Sequence, residues 1–186
     1  LTSPYEFSVS PSTTTTYTVT SLTDNNTCAA TPAQMTGSAT VTVLTPPTAS
    51  ISGSATICNG GNAPLSIVLT GTAPWSVTYT DGTTPVTVNP IVSSPYNFNV
   101  NPSSTKTYVL SAVSDANCIA GPSGLTGSAT VIVNPRPTSV ISGSTNICQG
   151  SNATVSIALT GTGPWDLTYT DGITSVPVTN ILTSPY

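Results

Sequence analysis

The residues of this chain that could do chemistry are four cysteines and six carboxylates. The sequence contains no histidine, so neither a Ser-His-Asp nor a Cys-His arrangement can be assembled. No catalytic residue and no enzymatic activity are therefore predicted. Asp81 and Asp171 each precede a glycine between alternating apolar runs, a pattern typical of two-residue hairpin turns in which the aspartate bonds to nearby backbone.

Two oxygen-rich segments are the candidates for a metal site. They are Asp24-Asn25-Asn26 and Asp115-Ala116-Asn117. Calcium takes about six to eight oxygen ligands, usually from several carboxylates, and each segment supplies one carboxylate. We predict no metal site and no cofactor, with calcium at these loops as the alternative.

The cysteines are predicted to form structural disulfides, which indicates an oxidising, extracellular setting. Cys28, Cys58, Cys118 and Cys148 are too far apart in sequence for the closely spaced ligand pairs of zinc motifs. The strand order places Cys58 and Cys118 roughly 20 Å apart, a strand length. A disulfide needs Cα atoms within about 7 Å. Either the glycine-rich loop after Cys118 brings it to Cys58, or cysteines of consecutive repeats pair; both remain open.

Composition restricts the partners. Lys106 and Arg136 are the only cations, and the formal net charge is -4. Nucleic acid is therefore not an expected partner, because phosphate binding needs clustered cations. No stretch approaches the roughly 20 apolar residues of a transmembrane helix, so we expect no membrane insertion. Threonine, valine and isoleucine favour a folded β protein over a disordered chain.

An internal repeat determines the predicted domain organisation. Residues 48–96 and 138–186 align at a constant offset of 90, with about three-fifths of positions identical. Proline-rich linkers then divide the chain into the C-terminal half of one repeat (1–45), a complete repeat (46–134) and the N-terminal half of the next (135–186). Either the sequence is a section of a longer array, or the two halves complete each other between molecules.

The alternation of apolar and polar residues predicts about seven strands in the complete repeat, hence an all-β fold of tandem sandwiches. The predicted strands cover Ala49–Ile57, Leu65–Thr70, Trp75–Thr80, Val86–Val92, Tyr96–Val100, Thr107–Ser114 and Ala129–Val133. Tyr17 and Tyr108 each follow a corner and resemble the tyrosine corner of immunoglobulin-like sandwiches. Trp75 and Trp165 begin equivalent strands, and we predict that these four aromatic residues pack in the core.

Several motifs recur in both copies. They are Ile57-Cys-Asn-Gly60 with Ile147-Cys-Gln-Gly150, Leu69–Trp75 with Leu159–Trp165, Tyr79-Thr-Asp-Gly82 with Tyr169-Thr-Asp-Gly172, Thr16-Tyr17 with Thr107-Tyr108, and Gly37–Val41 with Gly127–Val131. Together they resemble the immunoglobulin-like and PKD-like repeats of very large secreted surface proteins of Bacteroidota, including gliding-motility adhesins. The resemblance implies export by the type IX pathway and display at the cell surface.

Two functions are predicted. The first is a structural stalk or extracellular filament whose partners are neighbouring repeats or identical chains. The alternative is a set of adhesive modules that bind surface glycans or proteins through Trp75, Tyr79, Trp165 and Tyr169. Because surfaces of low charge repel each other weakly, such arrays are also expected to associate laterally.

Overall fold

The computed structural model describes residues 4–186, and the regular structure in this range is β-strand apart from two short 3-10 turns, Pro32–Gln34 and Pro122–Gly124. The predicted all-β class is confirmed, and the several sheets are compatible with a β-sandwich. The strands are β1 (Thr15–Tyr17), β2 (Ala39–Val41), β3 (Ala49–Ser52), β4 (Ala55–Cys58), β5 (Ala63–Leu69), β6 (Trp75–Thr80), β7 (Pro85–Ile91), β8 (Tyr96–Val100), β9 (Lys106–Ser114), β10 (Leu125–Gly127), β11 (Ala129–Asn134), β12 (Ser139–Ser142), β13 (Ser156–Leu159), β14 (Trp165–Thr170) and β15 (Ser175–Ile181).

The strands of residues 49–134 belong to two sheets. One sheet has the order β10-β3-β5-β8, and the other has the order β4-β11-β9-β6-β7. The remaining strands form the two-stranded sheets β1-β2, β12-β13 and β14-β15. The larger sheets are therefore built from the central sequence, whereas the flanking sequences contribute isolated pairs.

The strand predicted over Ala49–Ile57 is two strands in the structure, which corrects that prediction. The chain breaks at Gly53, where φ is +117° and a Cβ atom would lie 2.5 Å from the Pro64 carbonyl oxygen. Only glycine combines this backbone conformation with such a close approach. As a result β3 joins the four-stranded sheet, and β4 joins the five-stranded sheet.

A second difference concerns residues 125–127, which belong to the predicted glycine-rich loop after Cys118. They form β10, which pairs in parallel with β3, while β11 pairs in parallel with β4. Gly127 has a φ of +79°, and its α-carbon faces the Ile51 backbone so closely that a side chain does not fit. Parallel partners so distant in sequence leave no local signal, so the sequence pattern did not indicate this pairing.

The predicted hairpin at Asp81-Gly82 is present, but its turn differs from the two-residue type I′ turn. Thr80 pairs with Pro85, so the loop contains the four residues 81–84. A type I′ turn needs positive φ at both central residues, and here Gly82 has positive φ whereas Asp81 does not. The Asp81 carboxylate instead accepts hydrogen bonds from the backbone N–H groups of Thr83 and Thr84, at 3.0 and 2.9 Å.

Contacts within the described residues divide into two compact units, one formed by residues 4–51, 66–96 and 109–128 and the other by residues 52–65, 97–108 and 129–186. The hydrophobic core of the first unit consists of Ala49, Ile51, Ile67, Leu69, Trp75, Val77, Ile91 and Val113. That of the second consists of Ala63, Leu65, Tyr108, Ala129, Val131, Ile157 and Ile181. Both units draw on residues 46–134, and the three predicted domains remain a prediction.

Candidate functional site

The hairpin formed by β14 and β15 reproduces the hairpin formed by β6 and β7. Trp75 pairs with Ile91 and Trp165 pairs with Ile181, and both ladders shift register at the position that follows the tryptophan. Each indole Nε1–H donates to the backbone carbonyl of the threonine five residues earlier, at 2.9 Å for Trp75 and 3.0 Å for Trp165. The same sequence therefore folds locally in the same way at both positions.

A serine hydroxyl makes the same pair of bonds in both copies. Ser94 Oγ accepts from the Leu69 N–H and donates to the Leu69 carbonyl, at 2.9 and 3.1 Å. Ser184 Oγ makes the same two bonds to Leu159, at 2.7 and 3.0 Å. Two residues after Ser184, the N–H and C=O groups of Tyr186 exchange hydrogen bonds of 2.9 Å with Ile157.

An open apolar groove is lined by residues of β12, β13, β14 and β15, and we call it the C-terminal face. Its cavity has a volume of about 440 Å³. Half of the lining residues are aliphatic, two are tyrosines and one is an aspartate; the lining consists of Ile141, Ala153, Val155, Ile157, Tyr169, Thr170, Asp171, Thr174, Val176 and Tyr186.

Two buried core residues of the central copy have exposed counterparts on this face. Ile51 is 1% exposed, whereas Ile141 at the same repeat position is 63% exposed. Leu65 is 2% exposed, whereas its counterpart Val155 is 56% exposed. The central copy continues through β8, β9 and β11 beyond the point that corresponds to Tyr186. The C-terminal face thus carries a core-type sequence on the surface.

The N-terminal residues show the reciprocal pattern, and we call residues 5–43 the N-terminal segment. The register of β1 with β2 repeats that of β9 with β11, so that Tyr17 lies opposite Ala39 as Tyr108 lies opposite Ala129. Exposure again differs between the copies, since Val131 is 0% exposed and its counterpart Val41 is 36% exposed.

Tyr5 and Phe7 at the start of this segment are also exposed, and their rings stack with centroids 6.0 Å apart. Leu22 is exposed as well, although its counterpart Val113 is buried. The apolar side chains of this segment are thus more exposed than their counterparts in the central copy, which are buried or half-buried.

The predicted aromatic residues are placed unequally. Trp75 and Tyr108 are buried, whereas Trp165 and Tyr17 are half-buried. Of the two candidate binding tyrosines, Tyr79 is half-buried and Tyr169 is exposed.

Burial raises the pKa of the Tyr79 phenol, and the nearby Tyr96 raises it further. Of the two candidate binding tyrosines, Tyr169, which lines the groove, is the more exposed.

All four cysteines are free thiols. Cys28, Cys58 and Cys148 are exposed, and Cys118 is half-buried. The disulfide between Cys58 and Cys118 is therefore not formed in the structure, and pairing between consecutive repeats stays a prediction.

The two candidate calcium loops use their carboxylates to bind their own backbone. Asp24 Oδ1 accepts from the N–H groups of Asn26 and Cys28, both at 2.9 Å. In the second loop, Asp115 Oδ1 accepts from Asn117 and Cys118 at 2.8 and 2.7 Å. Across residues 4–186, no group of three or more metal-binding side chains is found.

Asp115 also bonds to the loop between β5 and β6. Its Oδ2 accepts a hydrogen bond of 2.9 Å from the Thr72 N–H. The bonds from Thr72, Asn117 and Cys118 stabilise the charged form and lower the pKa of Asp115 below the ordinary value of 3.8. The pKa of Asp171 is likewise lowered, by hydrogen bonds from the backbone of Thr174 and Ile173. These carboxylates organise loops.

Comparison with known proteins gave no assignment: no protein-family model matches the chain, and no curated protein is similar to it in sequence. Within the described range, no helix is long and apolar enough to cross a membrane. The sequence did not identify the individual residues of the two apolar faces, although one of the two alternatives for the domain organisation, halves that complete each other between molecules, involves both of them. The signal that could have found them is the match between apolar residues of each flanking sequence and core residues of the central copy.

Proposed function

We propose that this chain is a structural component of an extracellular stalk or filament, built from tandem immunoglobulin-like sandwiches with about seven strands per repeat. The domains would be residues 1–45, 46–134 and 135–186. The observation that carries the proposal is the recurrence of local structure at the repeat offset. A repeated module that keeps its strand register and its side-chain bonds is suited to produce length.

The distribution of polar chemistry supports this function. Asp24, Asp81, Asp115 and Asp171 all accept backbone hydrogen bonds within loops. Threonine pairs on neighbouring strands bond to each other, as Thr107 does with Thr130 at 3.0 Å and Thr16 with Thr40 at 2.8 Å. The surface polar groups thus reinforce the strands without charge, which suits a protein whose product is a fibre.

The extracellular setting and the origin in a large Bacteroidota surface protein belong to the same proposal. They rest on the sequence motifs and on the composition, which is rich in threonine and poor in charge. In an oxidising medium the exposed Cys28, Cys58 and Cys148 would be available for bonds between repeats.

Immunoelectron microscopy of the producing cells tests the proposal. Antibodies raised against the 186-residue chain should label filaments or stalks outside the cell, and the same antibodies preabsorbed with the chain should not. Label confined to the cell interior, or spread over the surface without any elongated structure, would contradict the proposal.

The alternative function, adhesion by the repeats themselves, has one supporting observation, the exposure of Tyr169 on the groove. A glycan array probed with the chain and with Tyr169→Ala would test it. Binding that the substitution abolishes supports adhesion, and equal signals from both proteins contradict it. The burial of Trp75 and the half-burial of Tyr79 favour the structural function.

A further inference from the structure

We propose that the C-terminal face binds the N-terminal segment, residues 5–43, of a second copy of the chain, so that chains join head to tail. The inference rests on the proposed function and adds to it a partner and a mode of assembly. The site is the open groove lined by Ile141, Val155 and Tyr169.

The chain contains a second version of the segment that completes the central copy. There, residues 96–134 follow the hairpin of β6 and β7 and supply β8, β9 and β11. The N-terminal segment repeats this sequence, since Tyr5-Glu-Phe-Ser-Val9 corresponds to Tyr96-Asn-Phe-Asn-Val100. A groove made by one half of the repeat is therefore matched in sequence by the other half.

The apolar residues exposed on the C-terminal face and on the N-terminal segment are counterparts of residues that pack together in the central copy. Ile141 and Val155 are exposed on the groove, and Phe7, Leu22 and Val41 are exposed on the segment. Their counterparts in the central copy are buried or half-buried. Joining the faces would remove both sets of apolar side chains from water, which is the main driving force for such association.

Tyr186 sets a strand register on the C-terminal face that a further strand can continue. Tyr186 pairs with Ile157 through two hydrogen bonds, and Tyr5 is its counterpart in the N-terminal segment. In an antiparallel ladder, a strand that continued this register would place Phe7 opposite Val155 and Val9 opposite Ala153. The groove therefore offers backbone partners as well as apolar contact.

The outer edge of β14 offers a second, separate ladder. In the central copy β6 pairs with β9 as well as with β7, whereas β14 pairs with β15 alone among the described residues. The pairing of Val77 with Val113 would become, in the joined chains, a pairing of Leu167 with Leu22. An unpaired strand edge is a template for a strand from another chain.

Charge makes no favourable contribution to this contact. Asp166 and Asp171 lie on the C-terminal side, and Glu6 and Asp24 lie in the segment. Assembly driven by apolar burial should therefore persist or strengthen as salt rises, because salt screens the weak repulsion between like charges.

The test uses the full chain and two charge substitutions at exposed positions, Phe7→Asp in the segment and Val155→Asp in the groove. Multi-angle light scattering measures mass as the concentration increases. The wild-type chain should grow into multiples of 18.7 kDa, and each variant alone should remain a monomer. Ile173→Asp is the matched control, because Ile173 is exposed in the turn between β14 and β15 and lies outside the groove lining.

An equimolar mixture of the two variants is the decisive arm. Val155→Asp retains an intact segment, and Phe7→Asp retains an intact groove, so the mixture should form dimers that stop at twice 18.7 kDa. Fluorescence of Trp75 and Trp165 checks that each variant is folded. The proposal is overturned if the wild type stays monomeric, if either variant alone still polymerises, or if the mixture of folded variants does not form dimers.

Failure of the inference is distinguishable from failure of the proposed function. Labelled filaments on cells, together with a monomeric chain in solution, would overturn head-to-tail joining and leave the structural function intact. Chains that join in solution but are absent from extracellular filaments would contradict the function and leave the assembly intact.

Discussion

Replacing Ile51 and Ile141 by alanine compares one side chain in a closed and in an open environment. Both residues occupy the same position of the repeat and precede the same Ser-Gly-Ser sequence. Because Ile51 is 1% exposed and Ile141 is 63% exposed, the same substitution should have very different effects on the free energy of unfolding.

The magnitude follows from the buried area. Isoleucine to alanine removes three carbon atoms, and at about 0.8 kcal/mol each the transfer free energy lost at Ile51 is about 2.4 kcal/mol. The cavity left in a closed core raises the total to roughly 3–4 kcal/mol. At Ile141 about a third of the side chain is covered and no enclosed cavity forms, so the loss should stay below about 1 kcal/mol.

Urea unfolding followed by tryptophan fluorescence measures both values. The Ile51→Ala chain carries Trp165→Phe, so that Trp75 reports, and the Ile141→Ala chain carries Trp75→Phe, so that Trp165 reports. Each is compared with its own single-tryptophan parent at concentrations where light scattering shows single chains. Equal losses in the two comparisons would refute the open C-terminal face. When the chains join, the cost of Ile141→Ala should rise towards that of Ile51→Ala.

Three further predictions concern the turns, the loops and the thiols. Gly53→Ala should lower the free energy of unfolding by more than about 2 kcal/mol, because the new methyl group clashes with backbone at a φ that already disfavours a side chain. Gly82→Ala, which has open space around it, should lower that free energy by about 1–2 kcal/mol. Equal losses in urea unfolding would contradict the close approach at Gly53. The lowered pKa of Asp115 means that its hydrogen bonds stabilise the fold fully above the ordinary pKa and are lost as pH falls through the lowered value. The thermal midpoint should therefore fall in acid, and Asp115→Asn should flatten this dependence; parallel pH profiles would contradict it. In the reduced native chain, Cys58 should react with iodoacetamide faster than the half-buried Cys118; peptide mass spectrometry measures this, and the reverse order would contradict the exposures.

The sequence predicts most strands because their signal is local. Alternation locates β6 and β8 with the bounds that the structure shows, and it places β9 within one residue. The break at Gly53 is not predictable in this way, because it depends on the approach of Pro64, a residue on the next strand. The parallel pairing of β10 with β3 has the same cause, since its partners are remote in sequence.

The candidate site was predictable only in part. The repeat alignment marks Tyr96 and Tyr186 as equivalent positions, and the serine bonds at Leu69 and Leu159 show how far the copies agree. Which residues become exposed depends on the strands that cover them, and that information is tertiary. The turn at Asp81 shows the same limit on a smaller scale, because Asp-Gly also fits a four-residue loop capped by the carboxylate.

The axial period of native filaments, measured by electron cryo-microscopy, tests the structural function most directly. A ninety-residue sandwich spans roughly 30–45 Å, from the compactness of a domain of this size and the rise along a strand. We predict a filament whose density repeats at this spacing and resolves into β-sandwiches that fit residues 46–134. A filament whose density does not fit residues 46–134, or whose density does not repeat at this spacing, would contradict the account.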